Sequence, residues 1–121
     1  MTLTRRKILE DLIMYSVVQA ASNYRIGIVV PSYSDSKKFI YDLMLVREET
    51  PNWLKPKIIR RGIRGVEFEN NFRIIMLYSD SCSKGLWLDE LYASSKVTSE
   101  QMTPHCFSVL QIGTYKIFED D

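Results

Sequence analysis

From Thr4 to Ala20, Ile8, Leu9, Leu12, Ile13, Ser16, Val17 and Ala20 recur at helical spacing, while Arg5, Arg6, Glu10, Asp11 and Gln19 lie off that stripe. The pattern predicts an amphipathic helix, interrupted by the polar step from Ala20 to Asn23. The β-branched run from Ile26 to Val30 then ends at Pro31, which predicts a buried strand that stops where a ladder donor disappears. Ser34 or Asp35 can cap a second helix running through Lys37, Phe39, Ile40, Leu43, Met44 and Val46, with Pro51 and Pro56 marking a break.

The section from Ile58 to Tyr78 changes period. Ile63, Val66 and Phe68 lead to Asn70-Asn71, and FRIIMLY follows to Tyr78, so a β-hairpin with an Asn-Asn turn is expected. Ser79 to Lys84 reads as a polar loop. The apolar strand Leu86-Trp87-Leu88 follows Gly85 and runs into Asp89-Glu90, which places both carboxylates at a strand's C-terminal end. After a stretch broken by Pro104, the segment from Cys106 to Ile112 forms a last strand, followed by Gly113-Thr114 and the acidic tail Glu119-Asp120-Asp121. Helices alternating with apolar strands predict an α/β fold, a small, mainly parallel three-layer sheet with an added β-hairpin.

Composition narrows the function classes. The chain has 121 residues, 45% hydrophobic and 26% charged, which fits one folded domain over 1–121 and excludes extensive disorder. Lys+Arg 16 against Asp+Glu 15 gives a net charge of +1, so no whole-protein field favours nucleic acid or an anionic membrane. No apolar run reaches the roughly 18 residues of a membrane span, and no secretory leader is recognisable, so an intracellular protein without a membrane partner is expected. Cys82 and Cys106 form no metal-like pair with the single His105 and read as reduced, structural thiols.

Several residues carry candidate chemistry, each with an ordinary structural reading beside it. Lys55, Lys57, Arg60, Arg61 and Arg64 form the densest basic cluster, which can contact phosphates or a partner, or simply solvate a hairpin face. Arg6 and Lys7 can meet an anion at the first helix's start. Trp53 and Trp87, with Tyr33, Tyr41, Tyr78, Tyr92 and Tyr115, read better as core packing than as a stacking platform for bases. Ser32 and Ser34 read as cap or turn residues, and His105 as an ordinary loop histidine. Asp89 and Glu90 at a strand end can hold hydrated magnesium and orient a water, or cap a turn.

Taken in order, several segments resemble the ATPase core of tailed-phage large terminases, the motors that package DNA. They are YRIGIVVPSYS (Tyr24 to Ser34), PNWLKP (Pro51 to Pro56), GVEFENNFRI (Gly65 to Ile74) and SDSCSKG (Ser79 to Gly85), followed by LWLDE (Leu86 to Glu90). The resemblance implies a P-loop-NTPase-like fold in which Asp89 and Glu90 are the Walker B pair, with Asp89 on magnesium, and Gly113-Thr114 is a coupling motif. It also implies a setting in the cytoplasm of an infected host cell. The departure is as informative. MTLTRRK, before the first helix, lacks the glycines, Lys and Ser/Thr that wrap and hold phosphates, and the strand expected ahead of it is missing. Without that strand the coupling-motif strand, the Walker B strand and the strand of Ile26 to Val30 remain contiguous, and the strand from Phe107 to Ile112 has an uncovered edge suited to a protein partner or self-association.

The reading that follows is a degenerate terminase-like protein with no cofactor of its own and no autonomous hydrolysis, retained as a protein-binding or regulatory module. One alternative is an ATP- and magnesium-dependent ATPase completed by another chain, with Glu90 orienting the attacking water. A second is a small module that binds DNA or RNA through the basic hairpin.

Overall fold

The computed structural model describes residues 3–18, 23–62, 64–78, 88–106 and 115–120, with residues 103–106 described by their backbone alone. Helix α1 spans Arg5–Val17, opened by Thr4, whose hydroxyl accepts the Lys7 N–H at 3.1 Å. It ends before Ala20. Asn23 turns the chain with a φ of 65°, a left-handed conformation that Asn tolerates, and donates its N–H to Asn70 O.

Strand β1, Arg25–Val29, leads through Pro31 into helix α2, Tyr33–Glu49. The helix begins earlier than the sequence pattern indicates. Ser32, in extended conformation, accepts the Asp35 N–H and donates its hydroxyl to Asp35 Oδ2 at 2.6 Å. A cap and a first-turn carboxylate thus serve each other, as in a capping box.

Strands β2 (Ile58–Gly62), β3 (Gly65–Phe68) and β4 (Arg73–Leu77) form an antiparallel meander. The β3–β4 turn passes through Asn71 at a φ of 64°, as the Asn-Asn pair leads one to expect, whereas β2 is an additional strand. Strand β5 is Glu90–Ser94, helix α3 is Ser99–Cys106, and β6 is Lys116–Phe118. Thr98 and Gln101 exchange side-chain bonds with each other's N–H groups at the start of α3.

The described residues form a six-stranded sheet in the order β2-β3-β4-β1-β5-β6, with β4, β1, β5 and β6 mutually parallel. Helices cover both faces. On one, α1 (Ile8, Leu9, Leu12, Ile13) and α2 (Phe39, Ile40, Leu43) pack on Ile26, Ile28, Ile74, Met76 and Phe118; on the other, Met102 of α3 and Leu88 pack on Val29, Leu77, Leu91 and Ala93. This is the expected mainly parallel α/β layering. Strand β1 is flanked by β4 on one side and by β5, which follows Asp89, on the other.

Three expectations are corrected. Leu88 and Asp89 precede a strand rather than end one: β5 begins at Glu90, so the carboxylates stand at its N-terminal end. The buried run there is Leu91, Tyr92, Ala93 and Ser94, whose mixed composition advertises a strand less than the apolar triplet before it does. Cys106 closes α3 instead of opening a strand, while the rest of that expected strand, 107–112, lies outside the described residues along with Gly113, Thr114, Cys82, Trp87 and the loop 79–84. The described neighbour of β5 on that side is β6, a short strand just before the acidic tail that the sequence pattern does not indicate.

Candidate functional site

The four parallel strands define two sheet edges, and ligands of such sheets commonly gather outside the carboxyl ends. At that edge the backbone of Glu119 bridges Leu3 and Arg5, which fixes the start of α1 beside the end of β6. Arg5, Arg6 and Lys7 therefore crowd the positive end of a helix macrodipole, an arrangement that demands anions nearby. The protein's own carboxylates supply them. The half-buried Arg5 guanidinium donates to Asp42 Oδ2 from Nε (3.1 Å) and Nη2 (2.9 Å) and to Asp120 Oδ1 from Nη1 (2.9 Å), and it lies 5.0 Å from the Phe39 ring centre. Arg6 pairs with Glu49 and Glu10, and these bonds, Glu49's first, raise its pKa; the same partnership lowers that of Glu49. Lys7 pairs with Asp11 at 3.1 Å.

The C-terminal end of β5 carries no acid of its own. Ser94, buried, donates its hydroxyl to Asp120 Oδ2 at 2.6 Å, and the Asp120 N–H donates to Ser95 Oγ at 3.0 Å. Asp120 thus lies between a serine and Arg5. Sequence reasoning missed Arg5, Asp42, Asp120 and Ser94 as a group; the available signal was the clash of three cations with a helix N-terminus. Ser34, which reads as a cap, is exposed in the first turn of α2, with its Oγ 3.4 Å from that of Ser32.

Asp89 and Glu90 lie at the opposite edge. Asp89 brackets the start of β1: its Oδ2 accepts the Arg25 N–H at 2.7 Å and its own N–H donates to Arg25 O at 2.8 Å. Glu90 accepts the Tyr92 hydroxyl at 2.8 Å, and its charge also acts on Tyr24, whose ring centre lies 6.2 Å from that of Tyr15. Burial pushes the Tyr24 hydroxyl up to about 12, with the Glu90 charge adding to it. Burial raises Tyr92 and Tyr15 in the same direction, Glu90 again contributing. The two carboxylates are thus committed to a backbone clamp and to a tyrosine cluster beside the end of α1. No protein-family model and no curated protein matches the chain.

The basic residues gather at the free side of the sheet. Antiparallel pairing sets Arg60 opposite Glu67 and Arg61 opposite Val66, and Glu67 in turn opposite Arg73. Cross-strand partners share a face, so Arg60, Glu67 and Arg73 line one face, while Arg61 lies on the face that Val66 buries nearer the sheet's centre. Arg73 binds Glu67 at 3.3 Å; among the described residues, Lys57, Arg60, Arg61 and Arg64 have no ion-pair partner. Gly62 and Gly65 pair at the ribbon's end, with Gly65 at a φ of 148°, and a groove of about 320 Å³ opens between these arginines.

The aromatic residues differ from the core-packing expectation. Tyr92 is buried and Tyr78 half-buried against Tyr33, but Trp53 is 82% exposed and Tyr33, Tyr41 and Tyr115 are exposed as well. Phe39, Phe68, Phe72 and Phe118 fill the core instead. Trp53 sits in a tight turn after α2, where Leu54 N–H bonds Pro51 O and Arg47 Nε holds Pro56 O at 2.8 Å. Among the described residues, no three His, Cys, Asp or Glu side chains converge to hold a metal ion, and no helix is long and apolar enough to cross a membrane. His105 lies in α3 rather than a loop, and its side chain is outside the described residues.

Proposed function

We propose that this chain acts by binding and not by hydrolysis: a degenerate, phage-type protein shaped like the terminase ATPase core, serving as a protein-binding or regulatory module in the host cytoplasm. The parallel order β4-β1-β5-β6, with α1 starting from the carboxyl edge, supports the P-loop-like shape. One observation carries the loss of hydrolysis. Asp89 and Glu90 stand at the amino edge of β5, bonded to Arg25 N–H and Tyr92 OH, while the helix start that would face a phosphate lies at the carboxyl edge. A magnesium–triphosphate unit gripped at the carboxyl edge is out of reach of that pair, so the residues present do not fit ATP with magnesium in the Walker manner.

Calorimetric titration with ATP, with and without magnesium, together with a phosphate-release assay, tests this. The expected result is no binding heat and no phosphate above buffer. Phosphate release by the purified chain that disappears in Glu90→Gln overturns it.

A further inference from the structure

We propose that the open edge of β2 accepts an extended acidic segment of a partner protein as an added strand, with consecutive Asp or Glu residues meeting Arg60 and Arg61. The inference rests on the binding-module reading and names the partner's chemistry.

Strand β2 ends the sheet order, and no strand or loop among the described residues pairs with its outer side. Such an edge offers backbone N–H and C=O groups in alternation. Another strand satisfies both kinds, as in strand addition to an exposed edge. A nucleic-acid backbone brings phosphate oxygens that accept but cannot answer the carbonyls, which favours a peptide.

The side chains select which peptide. Arg60 and Arg61 are successive residues on opposite faces of the sheet, both exposed and both without an ion-pair partner among the described residues. Successive residues of an added strand diverge in the same way, so one Asp-Glu or Glu-Glu step answers both cations at once. A single row of phosphates lying on one face meets Arg60 or Arg61, not both. The one carboxylate in the row, Glu67, is already held by Arg73, which leaves the edge locally cationic in a protein of net charge +1.

The same charges exclude the commonest competitor. Two β2 edges brought together set arginine against arginine, and like charges directly opposite are destabilising. The irregularity between Ile58 and Arg60 breaks the ladder at the strand's start, so regular pairing is available from Arg60 to Gly62. Exposed Ile59 adds an apolar contact beside it.

The test is fluorescence polarisation of the full chain with a labelled Thr/Val peptide carrying a central Asp-Glu-Asp run. Competitors are the same peptide with Lys at those positions, an N-methylated version, single-stranded DNA and duplex DNA. The acidic peptide is expected to bind. Arg60→Ala/Arg61→Ala should weaken binding by about tenfold, as two opposite-charge cross-strand pairs allow. Arg60→Glu/Arg61→Glu should transfer preference to the Lys peptide, a rescue that an unfolded variant cannot give. Loss of binding on N-methylation supports strand addition. Failure of the acidic peptide to bind at low salt, indifference to charge reversal or to N-methylation, or displacement of the peptide by either DNA at lower concentration overturns the proposal. Phosphate release measured on the same samples keeps the outcome separate from that of the hydrolysis question.

Discussion

The hydroxyl of Ser94 donates to Asp120 Oδ2 at 2.6 Å, and the other oxygen of the same carboxylate takes the Arg5 guanidinium at 2.9 Å. One acid therefore links the end of β5 to the start of α1. Its side chain is only 8% exposed, and that of Arg5 17%, so neither partner is easily satisfied by water if the other is removed.

Asp120→Ala leaves the Ser94 O–H without its acceptor, although Ser94 Oγ still accepts the Lys96 N–H, and leaves part of the Arg5 fork unsatisfied. The expected loss is about 1–3 kcal/mol, the cost of a buried polar group deprived of its partner. Asp42→Ala should cost less, because Arg5 retains Asp120 and Asp42 is the more exposed carboxylate. Urea denaturation of both variants checks the order.

Burial, with the Glu90 charge adding to it, holds the Tyr24 and Tyr92 hydroxyls protonated beyond the ordinary tyrosine value of 10.0. In the unfolded chain they lose their protons near that value, while the folded chain keeps them to about 12 at Tyr24 and higher at Tyr92. Their contribution to stability is therefore complete below pH 10 and is lost as pH rises from there through about 12. Melting temperature followed from neutral to strongly alkaline pH should fall in that window, less steeply for Tyr92→Phe. Tyrosinate absorbance on the folded protein should show a late-titrating fraction that shrinks in the same variant.

Gly62 and Gly65 face each other across the β2–β3 ribbon but should respond oppositely to substitution. A Cβ on Gly65 would fall 1.9 Å from Ile74 O at a φ of 148°, whereas a Cβ on Gly62 meets nothing within 4 Å. Gly65→Ala should cost at least about 1–3 kcal/mol. Gly62→Ala should stay within about 0.5 kcal/mol. Thermal unfolding of the pair separates a steric requirement from a general dislike of alanine in this ribbon.

Ser32→Ala removes the cap of α2 and should lower stability by about 1 kcal/mol. Ser34→Ala, at an exposed first-turn position, should change it by much less. A reversal of that ranking in paired melts contradicts the cap assignment.

The periodicity of α1, β1 and α2 was legible because each buries a continuous apolar stripe or run, which leaves little freedom in where it lies. Asp89-Glu90 misled for a related reason. An apolar triplet next to two acids reads as a strand delivering carboxylates, yet the buried run follows the acids, and Asp89 is bonded to Arg25 across 64 positions of chain. No local pattern encodes that pairing. Strand β6 escaped notice because three residues, two of them exposed, show no period. Trp53 escaped because aromatic identity says nothing of exposure when phenylalanines already fill the interior. The basic cluster was visible as charge, but its division between two faces required the register of β2 on β3.

Arg5 and Asp120 meet across 115 positions of chain. A contact of that span carries a larger loop-closure entropy than any local helix or hairpin contact. Once made, it ties the beginning of α1, the end of β5 and the end of β6 into one cooperative opening unit. Amide hydrogens on those three segments should therefore exchange together, and faster together in Asp120→Ala, while the β1–β4 amides keep their own slower rhythm.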